Sequence, residues 1–188
     1  MIPAHTGDLF VHPWWLLIYF WTFAVIASLW FHHQRLFGVY FVPTAVNVVA
    51  NFVVLSMVGL IVYFVQIYGR LHRDADQGLA FVAYFCCFGI AYLVMGMLYW
   101  SGTRARWPHL NERERRMGVR VTARTSVVGV SVLIGVLFSW RSGSLSVDGI
   151  MPLFVCFALG IVALRVGLLA AKPRIERAVT QGTFAENR

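Results

Sequence analysis

The residues best suited to chemistry fall into two groups. Asp8 and His12 stand four apart near the start, and His72, Asp74 and Asp76 alternate further along. Carboxylate oxygens and imidazole nitrogens are the ligand types that copper, zinc or manganese accepts. If the first two apolar runs are antiparallel helices, the ends that carry these residues meet. Ordinary solvated loops explain the same residues, because each spacing is common. The second group is a dense run of arginines, Arg104, Arg106, Arg113, Arg115, Arg116, Arg120 and Arg124. Guanidiniums suit the oxygens of phosphates and anionic head groups. A lipid-modifying enzyme built there would need a general base, and only His109, Glu112 and Glu114 are near. No glycine-rich phosphate loop, zincin motif or serine elbow accompanies them.

Polar residues inside the apolar runs are few. Asn47 and Asn51 lie four apart and share a helical face. They can glue helices together or contact a solute. Arg165 is the one charge well inside a run, and its long stem can reach toward the interface near Lys172. Cys86, Cys87 and Cys156 all sit in apolar runs and read as small buried hydrophobes. No histidine occupies the middle of a run, which disfavours haem held between helices. His32 with His33, or His12 with His72, could still clasp a ligand near an interface. Small residues recur at fourth positions (Ser131 with Gly135, Ala163 with Gly167, Gly167 with Ala171), a pattern that permits close helix approach.

These residues need elements to hold them, and composition says what kind. The chain of 188 residues is 59% hydrophobic and 13% charged, against about 45–50% and about 25% in a soluble domain. That balance fits an all-α polytopic membrane protein forming a single membrane domain over 1–188. Apolar runs predict five transmembrane helices, at about 14–31, 44–68, 79–100, 119–140 and 150–171. Aromatic pairs such as Trp14-Trp15, Trp30-Phe31 and Tyr99-Trp100 mark interfaces. The first 13 residues carry no Lys or Arg, so the first run reads as a retained span. The segment 36–42 is too short to cross. It reads as an interfacial piece or as the tilted start of the second helix, kinked at Pro43. The basic stretch 101–124 reads as a long cytoplasmic loop. Within it, Asn111 and Glu114 are placed to cap a helix starting at Glu112, either along the surface or continuous with the fourth span.

Five spans sort the charges. Of the 16 Lys and Arg, 12 fall on one face and three on the other, with Arg165 inside the last run. All four aspartates lie on the poor face and all four glutamates on the rich one. The positive-inside rule then places the N-terminus outside and the C-terminus in the cytoplasm. A bacterial inner (plasma) membrane fits, with an organellar inner membrane as the alternative. The formal net charge of +8 is then explained by anionic lipid at the cytoplasmic face, met by the loop arginines with Lys172, Arg174 and Arg177, and nucleic acid is not expected. The leading functional expectation is a non-catalytic integral subunit or assembly factor of a larger membrane complex, partnered by other integral subunits. The alternatives are a small oligomeric transporter or channel, a membrane redox subunit binding metal or cofactor, and a lipid-modifying enzyme.

Overall fold

The structure, a computed structural model, describes residues 13–70 and 74–141, with side chains over 19–67 and 78–141. Four long helices fill the described residues: α1 Pro13–Arg35, α2 Ala45–Arg70, α3 Asp74–Ala105 and α4 Glu112–Arg141. A π-helical turn, Leu36–Tyr40, continues α1, and a 3₁₀ turn, Trp107–His109, joins α3 to α4. Helices α2 to α4 contain three segments long and apolar enough to cross a membrane, Ala45–Ile67, Gly78–Ala105 and Glu112–Arg141. These segments mark the chain as an integral membrane protein.

Several boundaries differ from the sequence reading. The segment 36–42 does not begin the second helix: Leu36–Tyr40 extends α1, and Leu36 and Tyr40 are buried. Pro43 explains the break: it has no N–H to donate and disfavours helical geometry at the residue before it. Phe41 is already extended, and the chain re-enters a helix when Thr44 Oγ1 accepts from the Asn47 backbone N–H at 3.3 Å. The loop expected at 69–78 is shorter, because α2 runs to Arg70 and the backbone at Asp74 and Asp76 already belongs to α3.

The largest correction concerns 101–124. Only 106–111 lies outside the long helices, and the rest is the end of α3 and the first turns of α4. Asn111 starts α4 with a reciprocal cap. Its Oδ1 accepts from the Glu114 N–H at 2.9 Å, and its own N–H donates to Glu114 Oε2 at 3.0 Å. Two otherwise orphaned helix-end donors are thereby satisfied. At ~1.5 Å per residue, a helix of α4's length spans about 45 Å, well beyond a hydrocarbon core of about 30 Å. Its arginine-bearing first turns therefore have room to stand outside the apolar layer.

Helix α3 is central: 56% of its apolar window is buried, against 17% for α2. It packs antiparallel on α4 along a seam of small residues. A Cβ on Gly129 would lie 2.7 Å from the Gly89 carbonyl oxygen, and one on Gly96 would lie 2.9 Å from Thr125 Oγ1. The seam runs on to Gly118, which packs on Thr103 and Tyr40. Close backbone approach through glycine is a common way to associate helices in lipid, where apolar side chains gain little by leaving the solvent. Of the small pairs singled out in the sequence, Ser131 with Gly135 lies on α4, where Gly135 is buried. Ala163, Gly167 and Ala171 lie outside the described residues.

Candidate functional site: an arginine-lined cavity

The arginine-rich end of the bundle is assembled by tyrosines. Tyr40 OH donates to the Glu114 carbonyl at 2.8 Å, joining the π turn to the start of α4. Tyr99 OH donates to the His32 carbonyl at 2.7 Å, joining α3 to α1. The two rings sit 5.3 Å apart. Arg106 Nη1 donates to the Val39 carbonyl at 2.6 Å, and Arg115 lies over the Trp107 ring at 5.3 Å. Two of the basic residues of 101–124 thus hold the fold together as well as carrying charge.

Behind this framework opens a cavity of about 700 Å³. Arg113, Arg116, Arg120 and Arg124 line it from α4, together with Glu112, and His32 lines it from α1. Steps of three and four place these arginines on one helical face. Met117 and Val121 give the wall an apolar portion. Glu112 pairs with Arg116 one turn away, so four guanidiniums face one carboxylate. His32 sits just past the apolar run that ends at Phe31. Burial, reinforced by Arg124 and Arg35, pushes its imidazole below the ordinary value, so the ring is neutral near neutral pH. Its Nδ1 is shielded from water and has no hydrogen-bond partner among the described residues. The arrangement suits an anion that has several oxygens to share among the guanidiniums.

The chain matches no protein-family model, no curated protein and no solved structure.

The other candidate residues are distributed as follows. Asn51 Oδ1 accepts from His33 Nε2 at 2.8 Å, which ties α2 to α1. Asn47 Nδ2 donates to the Val42 carbonyl at 2.9 Å and secures the break before α2. Both amides therefore serve packing. Cys87 is buried in the core and Cys86 packs against it. Asp8, His12, His72, Cys156, Arg165, Lys172, Arg174 and Arg177, and the expected helix 150–171, lie outside the described residues, as do the side chains of Asp74 and Asp76. Among the described residues, no group of three or more His, Cys, Asp or Glu is placed to hold a metal.

The sequence reading missed that His32 joins the arginines. One signal was available, since His32 and the 101–124 stretch fall on the same side once the charges are sorted. The role of Tyr40 and Tyr99 carried no such signal, because each is one aromatic among many in an apolar run.

Proposed function

We propose that this chain is a non-catalytic integral subunit or assembly factor of a larger membrane protein complex. In this reading it crosses the inner (plasma) membrane five times, with the N-terminus outside. The arginine-rich end then faces the cytoplasm and meets anionic lipid. The observation that carries the proposal is where the polar side chains of the apolar layer spend their hydrogen bonds. Thr22 and Tyr84 share one at 3.2 Å, and Tyr92 OH donates to Ser28 Oγ at 3.0 Å. Asn51 meets His33, and Thr125 Oγ1 donates back to the Val121 carbonyl at 2.8 Å. The first three pairs hold helices together, and the Thr125 bond stays within α4. Groups used in this way offer a passing solute little, which weighs against a transporter or channel. The exposed face of α2, with Val46, Val49 and Phe52, is a broad apolar surface on which a neighbouring helix can pack.

Mass analysis of the intact protein after mild detergent extraction tests this reading. Unlike chains should co-purify at a fixed ratio. A lone monomer overturns the proposal, and a uniform homo-oligomer that moves solute in vesicles replaces it with the transporter reading. A single cysteine placed at Asn111 should be labelled by an impermeant reagent only from the cytoplasmic side, and labelling from outside would reverse the orientation.

A further inference from the structure

We propose that the cavity lined by His32, Arg113, Arg116, Arg120 and Arg124 is a binding site for a phosphomonoester group. This deepens the reading that this end meets anionic lipid, and it rests on that reading for the lipid as source. Diffuse attraction between basic residues and an anionic surface needs only charge near the membrane. The cavity offers more. Four arginines share one face of α4 and line an open cleft whose wall is partly apolar, through Met117 and Val121. A guanidinium fork matches two phosphate oxygens at once, which a lysine ammonium does not. Lys172 is the sole lysine in the whole chain, so this end is built from forks and not from point charges.

His32 adds an independent observation. Its Nδ1 is buried and unpartnered, and the ring edges the cavity. A neutral imidazole can offer one N–H to a phosphate oxygen without adding charge. As it stands Nδ1 is closed to solvent, so a ligand oxygen meets it only when the ring turns toward the cavity, and that pairing would relieve the cost of an unmet buried polar atom. Glu112 is the one anion in the cavity, and it already occupies Arg116. A terminal phosphate carries more charge and more free oxygens than a phosphodiester, so it can engage several forks together. The volume of about 700 Å³ accommodates such a head group.

The full-length protein in mild detergent is mixed with phosphatidic acid, phosphatidylglycerol or phosphatidylcholine. Retained lipid is then read on the intact protein by native mass analysis at near-physiological salt, with phosphatidylglycerol adjusted to matched surface charge. Phosphatidic acid should bind about tenfold more tightly than phosphatidylglycerol, the scale of one charged hydrogen bond. The paired substitution Arg120→Gln with Arg124→Gln should abolish that preference. Arg120→Lys with Arg124→Lys should abolish most of it, because charge is kept and the forks are lost. Arg141→Gln, at the far end of α4, should leave it intact.

Inorganic phosphate titrated by calorimetry in lipid-free detergent separates the sources. Binding with the same dependence on the variants assigns the site to a soluble phosphate compound. Retention of phosphatidic acid without phosphate binding assigns it to a lipid head group. Equal retention of phosphatidic acid and phosphatidylglycerol, with the lysine pair behaving as wild type, overturns the site but leaves the general lipid attraction standing. Equal retention of phosphatidylcholine removes that attraction as well. Elution profile and melting temperature check folding, and the lysine pair decides the matter if the glutamine pair misfolds.

Discussion

The middle of the bundle and its arginine-rich end treat polar atoms differently. In the middle, Thr22, Ser28, Tyr84, Tyr92 and Thr125 all end on protein partners. At the arginine-rich end, His32 Nδ1, Thr103 Oγ1, Thr122 Oγ1 and Arg115 Nε are shielded yet unpartnered among the described residues. Hydrocarbon gives a polar group nowhere else to turn, and each unmet group there costs several kcal/mol. A bundle that lives in lipid must satisfy itself through its middle, and doing so leaves that middle chemically quiet. At the arginine-rich end that cost is left standing at these atoms, and His32 is the one of the four that lines the cavity. The contrast directs a search for function to the end and away from the core.

The contrast can be broken most forcefully through the backbone. Gly102→Ala would drive a methyl group into the Tyr40 carbonyl, and that backbone atom cannot swing aside. The expected cost is about 1–3 kcal/mol, read as a lower melting temperature in detergent. Gly59, on α2, has nothing within 4 Å of an added Cβ. Gly59→Ala should stabilise slightly, by at most ~1 kcal/mol, through helix propensity. Equal destabilisation by both would remove the claim that the π turn is locked onto α3.

The next largest effect should come from the α1–α2 bond. Asn51→Leu leaves the His33 Nε2–H without its acceptor and should cost about 1 kcal/mol. Adding His33→Phe removes the stranded donor, so the double variant should recover most of the loss. Strict additivity would show that the bond contributes nothing.

The cap at Asn111 should act more locally. Asn111→Ala should cost about 1 kcal/mol, seen as faster amide exchange confined to the first turn of α4. Spread of that loosening into Val128 and Val132, which lie in the core, would mean that end and middle are one cooperative unit.

The smallest expected effect belongs to the cavity. Glu112→Gln removes the carboxylate that competes for Arg116, and phosphate or phosphatidic acid should bind about two- to fivefold more tightly, the scale of one exposed ion pair. Weaker binding would mean that Glu112 positions Arg116 for the ligand and does not compete with it.

Much of the helical layout was legible in the sequence because a membrane imposes length and hydropathy directly. The runs that became α2, α3 and α4 are visible as apolar stretches, and the Asn111–Glu114 cap follows from four residues of local chemistry. The helix start at Glu112 was legible from its cap, but whether that helix lay along the surface or ran on into the fourth span was not, because hydropathy falls over 112–118 while intrahelical bonds continue through arginines whose long side chains reach solvent. The π turn was missed for a related reason. Pro43 announces a break, but only the burial of Leu36 and Tyr40 shows which helix the preceding residues belong to.

By itself, the sequence determined that this is a helical membrane protein, and the sorting of its basic residues toward one side belongs to the five-span proposal. Apolar run length and charge count act on each segment separately, so they can be read without knowing what touches what. The tertiary structure alone decided that His32 of α1 and the arginines of α4 share one cavity, with Tyr40 and Tyr99 fixing the end of the bundle around it. Those contacts join residues more than 60 positions apart. They depend on glycine seams that bring backbones together, and no local pattern records which glycine meets which.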